Sequence, residues 1–200
     1  MRLKITLFFT YGVSLDSWAK TGLLNREILL YKELISRYDV SVQFITYGDK
    51  SDLELKDALG DITILPVYSR MPYRKIKILR LFQSLLIPFY FSKELKTTDI
   101  LKTNQMLGGW TALISKLFFH KPLLTRCGYE IFDAYRFQMA NGLRKRSKSV
   151  IFIVWLMSFL TYRFSDAVHV ATLEDSKIVS KYFKVPPSRI EVRPNWLDLD

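Results

Sequence analysis

Ala167-Val-His-Val-Ala-Thr-Leu-Glu-Asp-Ser-Lys-Ile-Val-Ser-Lys-Tyr-Phe183 decides the fold. Ala167 to Ala171 is a short apolar run of the kind that forms a strand buried on both faces. Leu173 to Phe183 follows with helical spacing, and Ile190-Glu-Val192 reads as the next strand. A strand, a helix and a strand in succession make a crossover unit, because parallel neighbours cannot be joined by a tight turn. Pro194-Asn195 then leads out of the last strand, as at an exit from one α/β domain toward another. The expectation is that residues 1–193 form one domain. Residues 194–200 would begin a hinge to a second domain that this sequence does not contain.

The same alternation runs upstream. Leu3 to Phe9, Val40 to Tyr47, Ile62 to Val67, Asp99 to Thr103 and Pro122 to Cys127 read as strands, each short and β-branched or aromatic. Between them, Ser17 to Arg37 carries an apolar stripe (Leu23, Leu24, Ile28, Leu30, Tyr31, Leu34, Ile35), with Ser17 as its N-cap. Tyr73 to Lys96 reads as a long helix with a basic first half, kinked or broken at Pro88. Leu107 to Phe119 is helical, and Ile131 to Arg163 is largely so, interrupted near Asn141-Gly142. This order predicts a Rossmann-like, open, mostly parallel sheet of about seven strands with helices on both faces.

Composition narrows the function. The chain has 200 residues, 49 % hydrophobic and 24 % charged, enough for one well-buried domain. Cys127 is its only cysteine, which excludes an internal disulfide and a multi-cysteine metal site and fits a reducing cytoplasm. With only His120 and His169, a histidine-rich metal centre is excluded too. The apolar run Ile5 to Thr10 is too short for a signal peptide. Val150 to Leu160 falls short of the ~20 residues needed to span a bilayer and is expected as a buried helix. A net charge of +11 calls for an acidic partner: nucleic acid, an anionic membrane or a phosphorylated small molecule.

In an open parallel sheet, ligands bind beyond the carboxyl ends of the strands, and polar residues at those ends are the site candidates. After the first strand, Tyr11 and Gly12 lie in a loop that lacks the glycine spacing of a dinucleotide site and the lysine of a P-loop. Gly12 serves either as a turn residue or to bring backbone N–H groups to a phosphate. After the fourth strand, Asn104 and Gln105 offer amides suited to hydroxyl-rich ligands, and Gly108-Gly109 allows a close backbone approach. Trp110 either stacks on a sugar or packs in the core. After the fifth strand, Arg126 and Glu130 either pair with each other or hold an anion and a hydroxyl. Cys127 lacks a histidine nearby in sequence and reads as a small buried residue. His169 reads as a core residue, and His120 as a helix-end cation.

The basic cluster Arg70, Arg74, Lys75, Lys77 and Arg80 is interleaved with Tyr73, Ile76, Ile78, Leu79, Leu81 and Phe82. It is either a solvated face of an ordinary amphipathic helix or a docking element for an anionic membrane. No nucleic-acid-binding motif accompanies the charge, so no nucleic-acid partner is expected.

Four segments together resemble the acceptor-side, N-terminal domain of glycosyltransferase family 4, enzymes of the GT-B fold. They are Trp18 to Glu27, Asp99 to Trp110, Lys121 to Glu130 and Ser165 to Thr172, with Ile190 to Asp198 similar to the family's strand-and-hinge. Two places depart: Trp196 stands where glycine is usual, and the loop Arg126 to Glu130 stands where many members carry a histidine. The resemblance implies half of a retaining enzyme that moves a sugar from a nucleotide-sugar co-substrate to an acceptor hydroxyl, in polysaccharide or glycolipid synthesis. It implies no metal and no other cofactor, with the leaving diphosphate stabilised electrostatically. Tyr11 and Gly12 would face the donor phosphates. Ser14, Trp18, Asn104, Gln105, Arg126, Tyr129 and Glu130 would line the acceptor site. The donor-binding domain would be a C-terminal one, or a partner subunit. The placement expected is cytoplasmic, peripheral at the inner face of a membrane. The alternative is a non-catalytic remnant or one subunit of a split transferase.

Overall fold

A computed structural model of the chain describes residues 2–145 and 147–194. The elements run β1 (Leu3–Phe8), α1 (Leu15–Lys20), α2 (Leu24–Arg37), β2 (Val40–Thr46), α3 (Lys56–Leu59), β3 (Thr63–Pro66), α4 (Val67–Arg70), α5 (Lys77–Ser84), α6 (Ile87–Tyr90), α7 (Ser92–Lys96), β4 (Ile100–Thr103), α8 (Gly109–Phe119), β5 (Leu123–Cys127), α9 (Ile131–Ala140), α10 (Lys148–Phe164), β6 (Ala167–Val170), α11 (Leu173–Phe183) and β7 (Ile190–Val192). A 3₁₀ turn over Lys50–Leu55 precedes α3. The strands form one seven-stranded sheet in the order β3-β2-β1-β4-β5-β6-β7, parallel at every pairing.

This order explains the layers. The chain winds outward from β1 to β3, crosses back, and winds the other way from β4 to β7. Right-handed crossovers place the connecting helices of the two halves on opposite faces. Helices α8, α10 and α11 cover the face that holds Leu101, Leu123, Thr125, Cys127, Val168 and Val170, all buried. The reverse face of the same strands carries Lys102, Leu124, Arg126, Ala167 and His169, each only partly buried.

The register sets those residues in rows: Lys102 opposite Leu124, Leu124 opposite Ala167, Arg126 opposite His169, His169 opposite Glu191. Phe8, Phe9, Phe44, Leu7, Leu15 and Ile45 fill the core around β1 and β2 at 0–1 % exposure.

Several helices differ from the sequence reading. Ser17 to Arg37 is two helices, because the chain takes a left-handed turn at Gly22 (φ 72°). The N-cap of α1 is Ser14 rather than Ser17. The two serines form a reciprocal capping box in which each hydroxyl accepts from the other's backbone N–H. Tyr73 to Lys96 breaks into α5, α6 and α7, with Pro88 in the first turn of α6, where its missing N–H costs no hydrogen bond.

Val150 to Leu160 is helical but not buried. Phe152 and Ile153 are 58 % and 49 % exposed, Ile151, Val154, Trp155 and Phe159 are partly buried against the core, and only Ser158, Thr161 and Tyr162 of α10 are fully buried. Among the described residues no helix is long and apolar enough to cross a membrane. Of the expected hinge, Pro194 is exposed beyond β7, and residues 195–200 lie outside the described residues.

Candidate functional site at the carboxyl edge of the sheet

The strand order reverses between β1 and β4, so the loops after these two strands meet at the switch point. They are tied together. Tyr11 N–H donates to the Leu107 carbonyl at 3.0 Å, Asn104 N–H to Phe8 O at 2.8 Å, and Asn104 Nδ2 to Thr10 Oγ1 at 3.4 Å. Gly108 (φ 99°) lies so close that a methyl group on its α-carbon would stand 2.7 Å from the Tyr11 nitrogen. On Gly109 it would stand 2.6 Å from Thr161 Cγ2. The close approach foreseen at these glycines is therefore made to the first loop and to α10.

Gly12 (φ 79°) is exposed, with nothing within 4 Å of a built methyl, so its backbone conformation rather than its space requires glycine. Tyr11, half-buried, leans on Trp110 and Tyr47. Trp110 is in the core, its Nε1 donating to Ser84 Oγ at 2.9 Å. Trp18 is also a core residue, 3 % exposed and stacked on Phe9 at 4.1 Å, so its ring does not reach the crevice. Ser14 spends its hydroxyl on the capping box. Gln105 Oε1 accepts from Gly128 N–H at 2.8 Å, which joins the β4 and β5 loops.

Arg126 and Glu130 do not pair with each other. Arg126 points to the reverse sheet face, where its Nη1 donates to Glu27 Oε2 at 3.2 Å and to Asn104 Oδ1 at 3.4 Å. Glu130 is the N-cap of α9, its Oε2 accepting from Asp133 N–H at 2.8 Å. Its Oε1 is buried without a hydrogen-bond partner. Burial pushes the Glu130 carboxyl up to about 7, helped by Asp133 and Asp175 and opposed by the Asp133 and Phe132 amides. Tyr129 beside it is 63 % exposed. Cys127 is fully buried and burial lifts its thiol to about 12, so it is inert as a nucleophile.

A pocket of about 120 Å³ lies on the reverse sheet face, lined by Arg26, Glu27, Tyr31, Lys102, Arg126 and His169 among others. His169 is thus a wall residue and not a core one; its Nε2 stands 3.5 Å from Glu191, and burial holds its pKa below the ordinary value. Lys102 and Tyr31 escaped the sequence reading. The available signal was a lone lysine inside the apolar strand Ile100-Leu-Lys-Thr103. Among the described residues no group of histidine, cysteine and carboxylate side chains is placed to hold a metal.

No protein-family profile matches the chain, and no curated protein sequence does. Solved structures do. The Anabaena protein HepE in complex with UDP-glucose superposes with a TM-score of 0.61 at 14 % identity, over 98 % of this chain and 44 % of HepE. The lipopolysaccharide outer core galactosyltransferase WaaB gives 0.62 at 15 %, over 99 % and 47 %. A transferase from Siraitia grosvenorii in complex with UDP gives 0.57 at 12 %, over 98 % and 52 %. These are GT-B glycosyltransferases. The fold is theirs. The chain spans about half or less of the length of each.

Proposed function

We propose that this chain is the acceptor-binding half of a retaining glycosyltransferase of the family 4 type, which transfers a sugar from a nucleotide-sugar to a hydroxyl acceptor. The observation that supports it is the switch-point crevice. There the β1, β4 and β5 loops are pinned into one rim by Gly108 against Tyr11 and by Gln105 on Gly128 N–H. The rim exposes Gly12 on one side and Tyr129 on the other. In this reading the Gly12 loop turns its backbone N–H groups toward the donor phosphates. Tyr129 forms the acceptor wall, with Asn104, Gln105 and Glu130 holding that wall in place from behind. In this reading a donor-binding domain with a carboxylate motif completes the site.

The acceptor is membrane-linked, a polysaccharide or glycolipid intermediate. An ordinary amphipathic helix turns its apolar side inward. On and beside α5 the opposite holds: Ile76, Ile78, Leu79 and Phe82 are between 48 % and 60 % exposed, beside exposed Arg74, Lys75 and Lys77. Arg70 and Arg80 are partly engaged, Arg70 with Glu94 and over the Phe91 ring, Arg80 with Tyr73. An apolar stripe flanked by lysines matches the chemistry of an anionic bilayer surface.

The test is sedimentation with anionic and neutral vesicles at low and high salt, run beside a sugar-transfer assay on the purified chain. Binding to anionic vesicles at low salt only, without turnover by the chain alone, is the expected result. Failure to sediment removes the membrane part, and robust transfer by the chain alone removes the half-enzyme part. A salt-sensitive gel shift with nucleic acid would point instead to a stand-alone nucleic-acid binder.

A further inference from the structure

We propose that the pocket between α2 and the reverse face of β4 to β6 is a binding site for a single phosphoryl group. Its walls come from elements distant in sequence: Arg26 from α2, Lys102 from β4, Arg126 from β5, His169 from β6 and Arg193 from the exit of β7. Five permanent or potential cations thus converge on a partly open pocket of about 120 Å³. A pocket of that volume admits a group of several heavy atoms such as a phosphoryl.

The carboxylates nearby are already engaged. Glu27 serves Arg26 at 2.8 Å and Arg126 at 3.2 Å. Glu191 serves Arg193 at 2.9 Å and approaches His169 at 3.5 Å. Lys102 has no carboxylate within salt-bridge distance among the described residues; its Nζ donates to the Tyr31 hydroxyl at 2.8 Å. Glu27 lines the same pocket and favours the charged lysine at longer range, but its carboxylate is held by the two arginines. The Lys102 ammonium is correspondingly easy to discharge: burial, with Arg126 adding repulsion, lowers it to about 7. A phosphoryl oxygen beside Nζ would restore the charge and accept from Arg126 and Arg193 as well.

The source of the group is either free phosphate or the terminal phosphoryl of a nucleoside diphosphate, and the experiment separates them. The Lys102 Cε resonance is followed through a pH titration of the full chain in chloride, in inorganic phosphate and in UDP, at matched ionic strength. Phosphate is expected to raise the Lys102 pKa from about 7 to about 8 or above, a tenfold or greater preference for the charged lysine. A rise with UDP and not with phosphate assigns the site to the phosphoryl group of a nucleotide.

Lys102→Met keeps the stem and removes the charge, and is expected to abolish phosphate binding as read by isothermal titration calorimetry with inorganic phosphate. Arg193→Gln alters an exposed side chain that the fold does not need and is expected to weaken binding several-fold. Shifts no larger than in chloride would overturn the proposal. So would undiminished phosphate binding by both variants.

Discussion

Gly108 stands directly against the backbone of Tyr11. A methyl group on Gly108 would meet the Tyr11 nitrogen at 2.7 Å and the Phe9 carbonyl oxygen at 3.3 Å, and the backbone there has φ 99°. Gly12, one residue further along the same loop, has φ 79° and open space around it. The pair offers an internal control. Gly12→Ala should cost about 1–2 kcal/mol from left-handed backbone strain alone. Gly108→Ala adds a clash with unyielding backbone and should cost distinctly more, beyond about 3 kcal/mol. Urea denaturation of the two variants checks this; equal losses would mean that the β1 and β4 loops are not locked together.

Glu130 should make stability fall as pH rises. Its carboxyl moves from 4.5 to about 7 on folding, so between these values the native state holds more protons than the unfolded one. This group's favourable share is present below about 4.5 and is lost through about 7. Its size is at most about 3 kcal/mol. Glu130→Gln keeps an acceptor for the Asp133 N–H and removes the titration. Denaturation across pH 4–8 should show a flatter profile for the variant and greater stability at pH 8; a profile parallel to that of the parent would refute the assignment.

Lys75 and Lys77 are exposed. Replacing both with Gln should leave stability within about 0.5 kcal/mol. At about 1 kcal/mol per basic residue near an anionic surface, affinity for anionic vesicles should drop roughly 30-fold. Vesicle sedimentation with unchanged affinity would place the docking surface elsewhere.

Cys127 should resist alkylation in the folded protein, because it is fully buried and its thiol is raised to about 12. Labelling with iodoacetamide should follow the urea transition. Fast labelling of native protein at neutral pH would show that the end of β5 opens locally.

Ser84 ties α5 to α8 through its acceptance from Trp110 Nε1 at 2.9 Å. Ser84→Ala leaves that buried donor without a partner and should cost about 1–3 kcal/mol. A thermal melt measures it directly; no loss would mean that the indole finds another acceptor.

The order of elements was legible in the residues alone. Ala167 to Phe183 announces a strand and a helix because period and polarity are local properties of the chain, and α11 and β7 occur where that pattern places them. The parallel sheet agrees with that alternation, since parallel neighbours need a crossover connection. Sequence also confined the polar candidates to the strand ends. It did not say which way each would turn.

Arg126 and Glu130 are four residues apart and of opposite charge, yet one reaches Glu27 across the sheet face and the other caps α9. The alternation of a strand and the start of a helix separate them. Lys102, His169 and Arg193 meet only because strand register sets β4, β5, β6 and β7 side by side. Local pattern determined the parts; strand register and the handedness of the crossovers decided which side chains meet and which remain in water.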